Sequence, residues 1–306
     1  MNVLVAGELN VDLVLQNYLS FPALGQETLC EDVILTLGSS SAICAAGMAK
    51  LGNSVSFTGK IGEDAWGDTC VQYLEKLHVD HSRVIRDGSV KTGITVSISG
   101  TRDRAMVTYL GAMETIHLED ITGPGFEGFQ HFHVASLFLQ RALRPDLKRL
   151  LAAAHAHGLT TSADPGFDPE QKWGRDIVDL LTEVDVFLPN EVELAGLSGT
   201  RDAEQGLRAL DNGRTLTVAK LGREGCAVLE NGSLVRMPAF LVEPVDTTGA
   251  GDSFNAGFLH SWWRKASLRE SLRFAAACGA ISTLASGGTT AQATEAQARE
   301  FLASRA

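Results

Sequence analysis

Asp246-Thr247-Thr248-Gly249-Ala250-Gly251-Asp252-Ser253-Phe254-Asn255-Ala256-Gly257-Phe258 is the run around which the rest of the chain is arranged. Gly249, Ala250 and Gly251 are small enough for a backbone turn to aim successive N–H groups at one point, and Phe254, Phe258 and Leu259 then repeat at helical spacing. Such a turn at a helix start attracts anions. The N–H groups and the positive helix end hold phosphoryl oxygens without any basic side chain. A phosphate repels a neighbouring carboxylate, so Asp252 needs a task there, and accepting the proton of an attacking hydroxyl is one. Taken alone, Gly-Ala-Gly-Asp-Ser reads equally well as a plain helix N-cap.

The totals narrow the classes. A chain of 306 residues with 26 Lys plus Arg against 37 Asp plus Glu, net charge -11, disfavours nucleic-acid binding and must meet an anionic nucleotide through local dipoles and metal ions. Cys30, Cys44, Cys70, Cys226 and Cys278 show no CxxC spacing, so neither a disulfide framework nor a zinc site is expected, and a reducing cytoplasm is. The opening Met1 to Asp12 lacks the pattern of an export signal, and no apolar run approaches the ~20 residues of a membrane span.

Val3 to Ala6 reads as a buried strand ending at Gly7, but the chain continues as Gly7-Glu8-Leu9-Asn10-Val11-Asp12 and not as the GxGxxG of a dinucleotide fold. No GxxxxGK[ST] loop occurs either. Asn10 and Asp12 alternate onto one face of an extended segment, where amide and carboxylate suit sugar hydroxyls; the bland reading is a turn Asn and a solvated Asp. Asp64 reads as the cap of a helix from Ala65. His131 with His133, and His155 with His157, have a metal-pair spacing without an acidic or cysteine partner set, and read as ordinary strand and helix residues. Asn190 and Glu193 fall at a helix start, where the dipole favours an acid for structural reasons alone. Lys220 either meets phosphate or merely ends a strand, and the small residues around Ala276 admit either an adenine or a packed helix. Strands alternating with helices through most of the chain predict an α/β fold with a mostly parallel sheet covered on both faces.

The longer run, Asp246 to Asp252 followed by Phe254, resembles the C-terminal signature of the ribokinase-like (PfkB) family of carbohydrate and nucleoside kinases, and weaker likenesses extend over nearly the full length. The resemblance implies a ribokinase-like three-layer sandwich spanning residues 1–306 as a single domain, with a small β-sheet lid from about 11–37 and 88–111. It implies an anion hole of Gly249, Ala250 and Gly251 with Asp252 as catalytic base, and sugar contacts from Asn10, Asp12 and Gly38. Asn190 and Glu193 (NxxE) would order ATP and, through water, Mg2+. Lys220, Gly222, Gly225 and Ala276 would line the nucleotide. A loop with Asp246, Thr248 and Gly287 would hold a monovalent cation, K+ being the candidate. The first signature is broken: Ser39 replaces the second glycine, Ser40 stands at the ribokinase lysine and Ile43 at the substrate asparagine, leaving Ser39 and Ser41 to offer hydroxyl contacts. Gly166 replaces the Asn of a strand-end Asp-x-Asn. The expectation is an ATP-dependent kinase acting on a hydroxymethyl group of a monosaccharide such as a pentose, ketose or sugar acid, in a cytoplasmic protein compatible with a homodimer. The rivals are a nucleoside kinase and a catalytically silent sugar-binding regulatory protein.

Overall fold

The computed structural model describes residues 1–18, 20–99 and 104–305. Leu19 and residues 100–103, which belong to the expected lid, and Ala306 lie outside the described residues. The strands are β1 (Asn2–Ala6), β2 (Asn10–Gln16), β3 (Asp32–Leu37), β4 (Ser54–Gly62), β5 (Asp80–Asp87), β6 (Gly93–Ser99) and β7 (Arg104–Tyr109). They continue with β8 (His131–Ala135), β9 (Thr160–Asp164), β10 (Val186–Phe187), β11 (Leu216–Lys220), β12 (Cys226–Glu230) and β13 (Ser233–Met237).

Nine strands form one sheet in the order β13-β12-β11-β10-β9-β8-β1-β4-β5, parallel except where β12 and β13 add antiparallel at one edge. Its strands are buried on both faces, so they read as continuous apolar runs. In β1, Val3 and Val5 join one core while Leu4 and Ala6 join the other, as a side-chain period of two requires. Full burial of each such aliphatic side chain contributes about 1.5–3 kcal/mol. Helices cover both faces, and the pair Ala250–Trp263 and Leu268–Ser282 packs closely because Gly257 and Gly279 leave room. A Cβ on Gly257 would stand 2.9 Å from Cys278 Cβ. The alanine-rich stretch is in this sense a packing surface, with Ala275 and Ala277 fully buried and Ala276 nearly so.

The sheet order reverses beside β1: β4 and β5 lie on one side, and β8 to β11 on the other. In open α/β sheets the crevice beyond the carboxyl ends at such a reversal is where ligands bind. The remaining strands form a separate sheet, β3-β2-β6-β7, springing from the carboxyl end of β1. The two segments expected to pair as a small sheet, around 11–37 and 88–111, do so through β2 and β6, with Asp12 opposite Thr95. Val184 to Leu188 reads as a strand in the sequence; the strand is Val186–Phe187, and the N–H groups of Asp185 and Leu188 on either side of it bond to Thr161 O and Ala163 O.

Candidate active site

The carboxyl ends of the strands deliver the polar groups: Glu8 after β1, Ser136 after β8, Asp164 at the end of β9, Asn190 after β10 and Lys220 at the end of β11. The helix Ala250–Trp263 begins here. Gly249 caps it at φ 71 with no side-chain cap bond, so the first-turn N–H groups depend on something else. Ala250 N–H reaches Thr247 O at 3.3 Å, whereas the N–H groups of Gly251 and Asp252 find no acceptor among the described residues. The turn is anchored from behind. Asp246 accepts from Thr248 N–H at 2.8 Å and from Gly287 N–H at 2.9 Å, which brings the three expected cation-loop residues together.

Asp252 is partly buried in the first turn. Burial pushes its carboxyl well above the usual carboxylate range, with the charges of Asp164, Glu8 and Glu193 adding to the shift and Lys220 opposing it. Asn190 and Glu193 form a capping box: Glu193 accepts from Asn190 N–H at 2.8 Å and from Asn190 Nδ2 at 2.7 Å. Glu193 is buried, and desolvation, aided by Asp164, raises it to about 8. Lys220 joins Asp164 and Asn255, neither of them expected from the sequence as a site residue. Gly222 and Gly225 hold positive φ of 54 and 93, and a Cβ on Gly225 would overlap Met237 O, so that turn needs its glycine.

Where the small sheet meets the carboxyl end of β1, Asn10 Nδ2 donates to Asp12 Oδ1 at 3.0 Å, and Thr95 Oγ1 lies 3.4 Å from the same amide. Gly38 sits against both. A Cβ there would overlap Asp12 Oδ1 and come 2.5 Å from Asn10 Nδ2. Displacing two contact groups together is costly to positioning. Gly38→Ala is therefore expected to raise the acceptor KM about tenfold or more with the ATP KM unchanged, as a two-substrate kinetic matrix will read.

The hydroxyls of Ser39 and Ser41, expected at the sugar, are both engaged within the protein. Ser39, held at φ 73, donates to Glu8 O and accepts Ala42 N–H at 2.9 Å, so it caps the helix Ser40–Lys50. Those bonds offset a left-handed conformation that costs a non-glycine residue about 1–2 kcal/mol. Ser41 is fully buried and donates to Glu8 Oε2 at 2.5 Å, and Ser136 donates to Glu8 Oε1 at 2.7 Å. Both serines serve Glu8, which nothing local in the sequence had marked. Ile43, buried, fills the space behind Gly249 and Gly288: a Cβ on Gly288 would stand 2.6 Å from Ile43 Cδ1.

His131 and His133 are buried in a hydrogen-bonded chain with Thr160 and Ser162. Thr160 Oγ1 lies 3.3 Å from Gln130 O, an acceptor only, so the hydroxyl donates there and accepts from His131 Nδ1 at 2.8 Å. His131 Nε2 then accepts from Ser162, which accepts from His133 Nδ1, each at 2.7 Å. Burial lowers these imidazoles to about 3 and about 4, so both are neutral. Among the described residues no group of three or more metal-ligating side chains forms a metal site. His155 lies at the opposite, amino-terminal end of the sheet with Glu183 and Asp185. Asp64 caps its helix by accepting Gly67 N–H at 2.9 Å and also accepts Thr92 N–H at 2.8 Å.

A glycine-capped helix start with an acid in its first turn, at the carboxyl edge of a doubly covered sheet beside a second small sheet, is the architecture of a ribokinase-like phosphotransferase. The profile of the pfkB family carbohydrate kinase matches residues 2–295, and the chain belongs to that family. It is 30% identical over 309 residues to an ATP-dependent ribose-1-phosphate kinase of Halopiger xanaduensis, covering 100% of this chain and 99% of that one. Among solved structures it resembles a Vibrio cholerae fructokinase bound to fructose, ADP and potassium ion, with TM-score 0.82, 27% identity and 98% of each chain covered. It also shares the fold of Thermotoga maritima ribokinase, with TM-score 0.83, 24% identity and 99% of each chain covered. The protein is an ATP-dependent sugar kinase. Among the described residues no helix is long and apolar enough to cross a membrane.

Proposed function

We propose that the protein transfers the γ-phosphoryl group of ATP to a hydroxymethyl group of an uncharged monosaccharide, a pentose or ketose, in the cytoplasm. The observation that carries this reading is the pair of N–H groups at Gly251 and Asp252 that have no acceptor among the described residues, next to the carboxylate of Asp252. Asn10, Asp12 and Gly38 orient the sugar. Asp252 takes the hydroxyl proton late in transfer, when a loose transition state has made the oxygen acidic. The backbone of Gly249, Ala250 and Gly251 holds the phosphoryl charge at its developing position. The β3-β2-β6-β7 sheet acts as a lid that excludes water as a competing acceptor.

Magnesium, when bound with the nucleotide, draws charge from the phosphate oxygens. The donor set fits it: Glu193 is tied by Asn190 through one bond to each oxygen, and Mg2+ takes few carboxylates and keeps its water, so Asn190 and Glu193 would hold it through water. The turn of Gly222 and Gly225, with Ala276, lines the nucleotide. The loop of Asp246, Thr248 and Gly287 suits K+, the ion named with the Vibrio cholerae fructokinase. A homodimer belongs to the same reading, since Met106, Val107 and Tyr109 on edge strand β7 are more than half exposed.

Among the described residues the groups gathered around Gly38 are amide, carboxylate and hydroxyl, which suit the donors and acceptors of a neutral sugar's hydroxyls. A coupled ATPase screen over neutral sugars, sugar acids, sugar phosphates and nucleosides is expected to give a neutral pentose or ketose a kcat/KM about 100-fold above any phosphorylated sugar. Preference for ribose 1-phosphate, the substrate in the name of the Halopiger relative, would refute the uncharged acceptor. Preference for adenosine, guanosine or cytidine would select a nucleoside kinase.

A further inference from the structure

Two crossings of the chain between the large and the small sheet meet at Glu8. One is Gly7-Glu8-Leu9, between β1 and β2, and the other is Gly38-Ser39, between β3 and the helix Ser40–Lys50. Glu8 is 2% exposed and joins them through both its backbone and its side chain. Its carbonyl accepts from the Ser39 hydroxyl, its Oε2 from Ser41 Oγ at 2.5 Å, and its Oε1 from Ser41 N–H at 3.3 Å. A third element is tied in, because Oε1 also accepts from Ser136 Oγ at 2.7 Å, one residue past the end of β8. Ser41 is pressed so closely over the first crossing that a Cβ on Gly7 would overlap its hydroxyl.

A carboxyl buried for stability alone gains little over an apolar side chain of equal volume. Burial does raise the Glu8 carboxyl above the ordinary glutamate value, against the bonds from Ser41 and Ser136 that pull it down. What the arrangement supplies is registration. A carboxyl offers two oxygens, so it can bond to a crossing and to the large sheet at once, which a single hydroxyl does less well. Asn10 and Asp12 follow Glu8 along the first crossing, and Gly38 precedes Ser39 on the second, where its N–H donates to Asn10 O at 3.0 Å. Ser136 belongs to the large sheet, at the edge where the helix Ala250–Trp263 begins with Asp252 in its first turn. We propose that Glu8 is a positioning residue for the acceptor: its bonds to Ser41 and Ser136 hold Asn10, Asp12 and Gly38 at a fixed place relative to the large sheet, and so relative to the base. This rests on the reading of those three residues as sugar contacts. Transfer is sensitive to such a placement, since a shift of about 1 Å between reacting groups can cost about 10²-fold in rate.

The test uses the full chain and the sugar that turns over best in the acceptor screen. Glu8→Met fills a similar volume but makes none of the side-chain bonds, and it is expected to raise the acceptor KM about tenfold and lower kcat, with the ATP KM within about twofold of the parent. Ser136→Ala cuts only the bond to the large sheet and is expected to raise the acceptor KM about fivefold, again without moving the ATP KM. Added to Glu8→Met it should cost nothing further, because the two groups act as one unit. Glu8→Gln keeps an oxygen for Ser136 and an amide that donates to Ser41 Oγ, and should return the acceptor KM to within about threefold of the parent. A side chain serving stability alone would lower the melting temperature without separating the two Michaelis constants. Should Glu8→Met melt far below the parent, Ser136→Ala carries the measurement. An acceptor KM within about twofold of the parent in whichever of the two folds overturns the proposal, as do acceptor and ATP KM rising together, additive losses in the double variant, or a loss in Glu8→Gln equal to that in Glu8→Met. Gly38→Ala keeps the two readings apart: if it raises the acceptor KM and Glu8→Met does not, the positioning role alone falls, and if neither does, the sugar contacts fall with it.

Discussion

Asp252→Asn is expected to lower kcat by about 10³-fold or more, while ATP and sugar still bind within a few-fold of the parent affinities. The amide keeps the shape and the first-turn position but cannot accept the hydroxyl proton. A second readout separates a base from a cap. Burial, with the neighbouring Asp164, Glu8 and Glu193 charges, raises the Asp252 carboxyl, so the folded state prefers it protonated. For a raised acid the associated stability is present at low pH and is lost as pH rises through the folded value. The ionised form at neutral pH is therefore a burden on the free protein that Asn removes, and Asp252→Asn is expected to melt a few degrees higher than the parent at neutral pH. Activity has the opposite sign: it needs the ionised form, so kcat falls as pH drops through that raised value. The acid limb of the parent accordingly lies above the ~3.9 of an ordinary aspartate. A near-parent kcat, or a melting temperature lowered as by loss of an N-cap, would end the assignment.

What the sequence made legible is the part written in backbone conformation. Gly249 announces a turn whose geometry other residues resist, and Asp246 lies close enough in sequence for its role in that turn to be local. The apolar run Val3 to Ala6 marked β1, the extended segment after it carried Asn10 and Asp12 in β2, and Asp64 was readable as a cap because its partner Gly67 is three residues away. What stayed hidden is made by convergence. Asp164 finds Lys220 56 positions later and Asn255 91 positions later, and Glu8 finds Ser136 after 128. None of these has a local pattern to distinguish it from a solvated polar residue. Hydroxyls beside a substrate motif suit sugar hydroxyls, whereas the demand that the buried Glu8 places on Ser41 cannot be seen along the chain. Glu193 shows that the two readings of an acidic helix start can coincide, since the capping box that satisfies the helix also fixes the carboxylate.

Gly249→Ala separates conformational strain from steric exclusion. Its φ of 71 costs any side chain about 1–2 kcal/mol, and its Cβ would also stand 2.8 Å from Gly288 Cα and 2.9 Å from Ile43 Cγ2. The Gly288 backbone cannot retreat freely, because Asp246 holds the adjacent Gly287 N–H at 2.9 Å. The turn itself must then move, and the Gly251 and Asp252 N–H groups move with it. Gly52 supplies the control: it has φ 88 with nothing within 4 Å of the added Cβ. Gly52→Ala should lose about 1 kcal/mol in denaturant unfolding and leave kcat untouched. Gly249→Ala should lose at least as much stability and in addition about 10²-fold in kcat, the scale of misplacing donors at a charge that develops in the transition state. If both variants keep the parent kcat, the N–H groups of the turn are not where the phosphoryl charge appears.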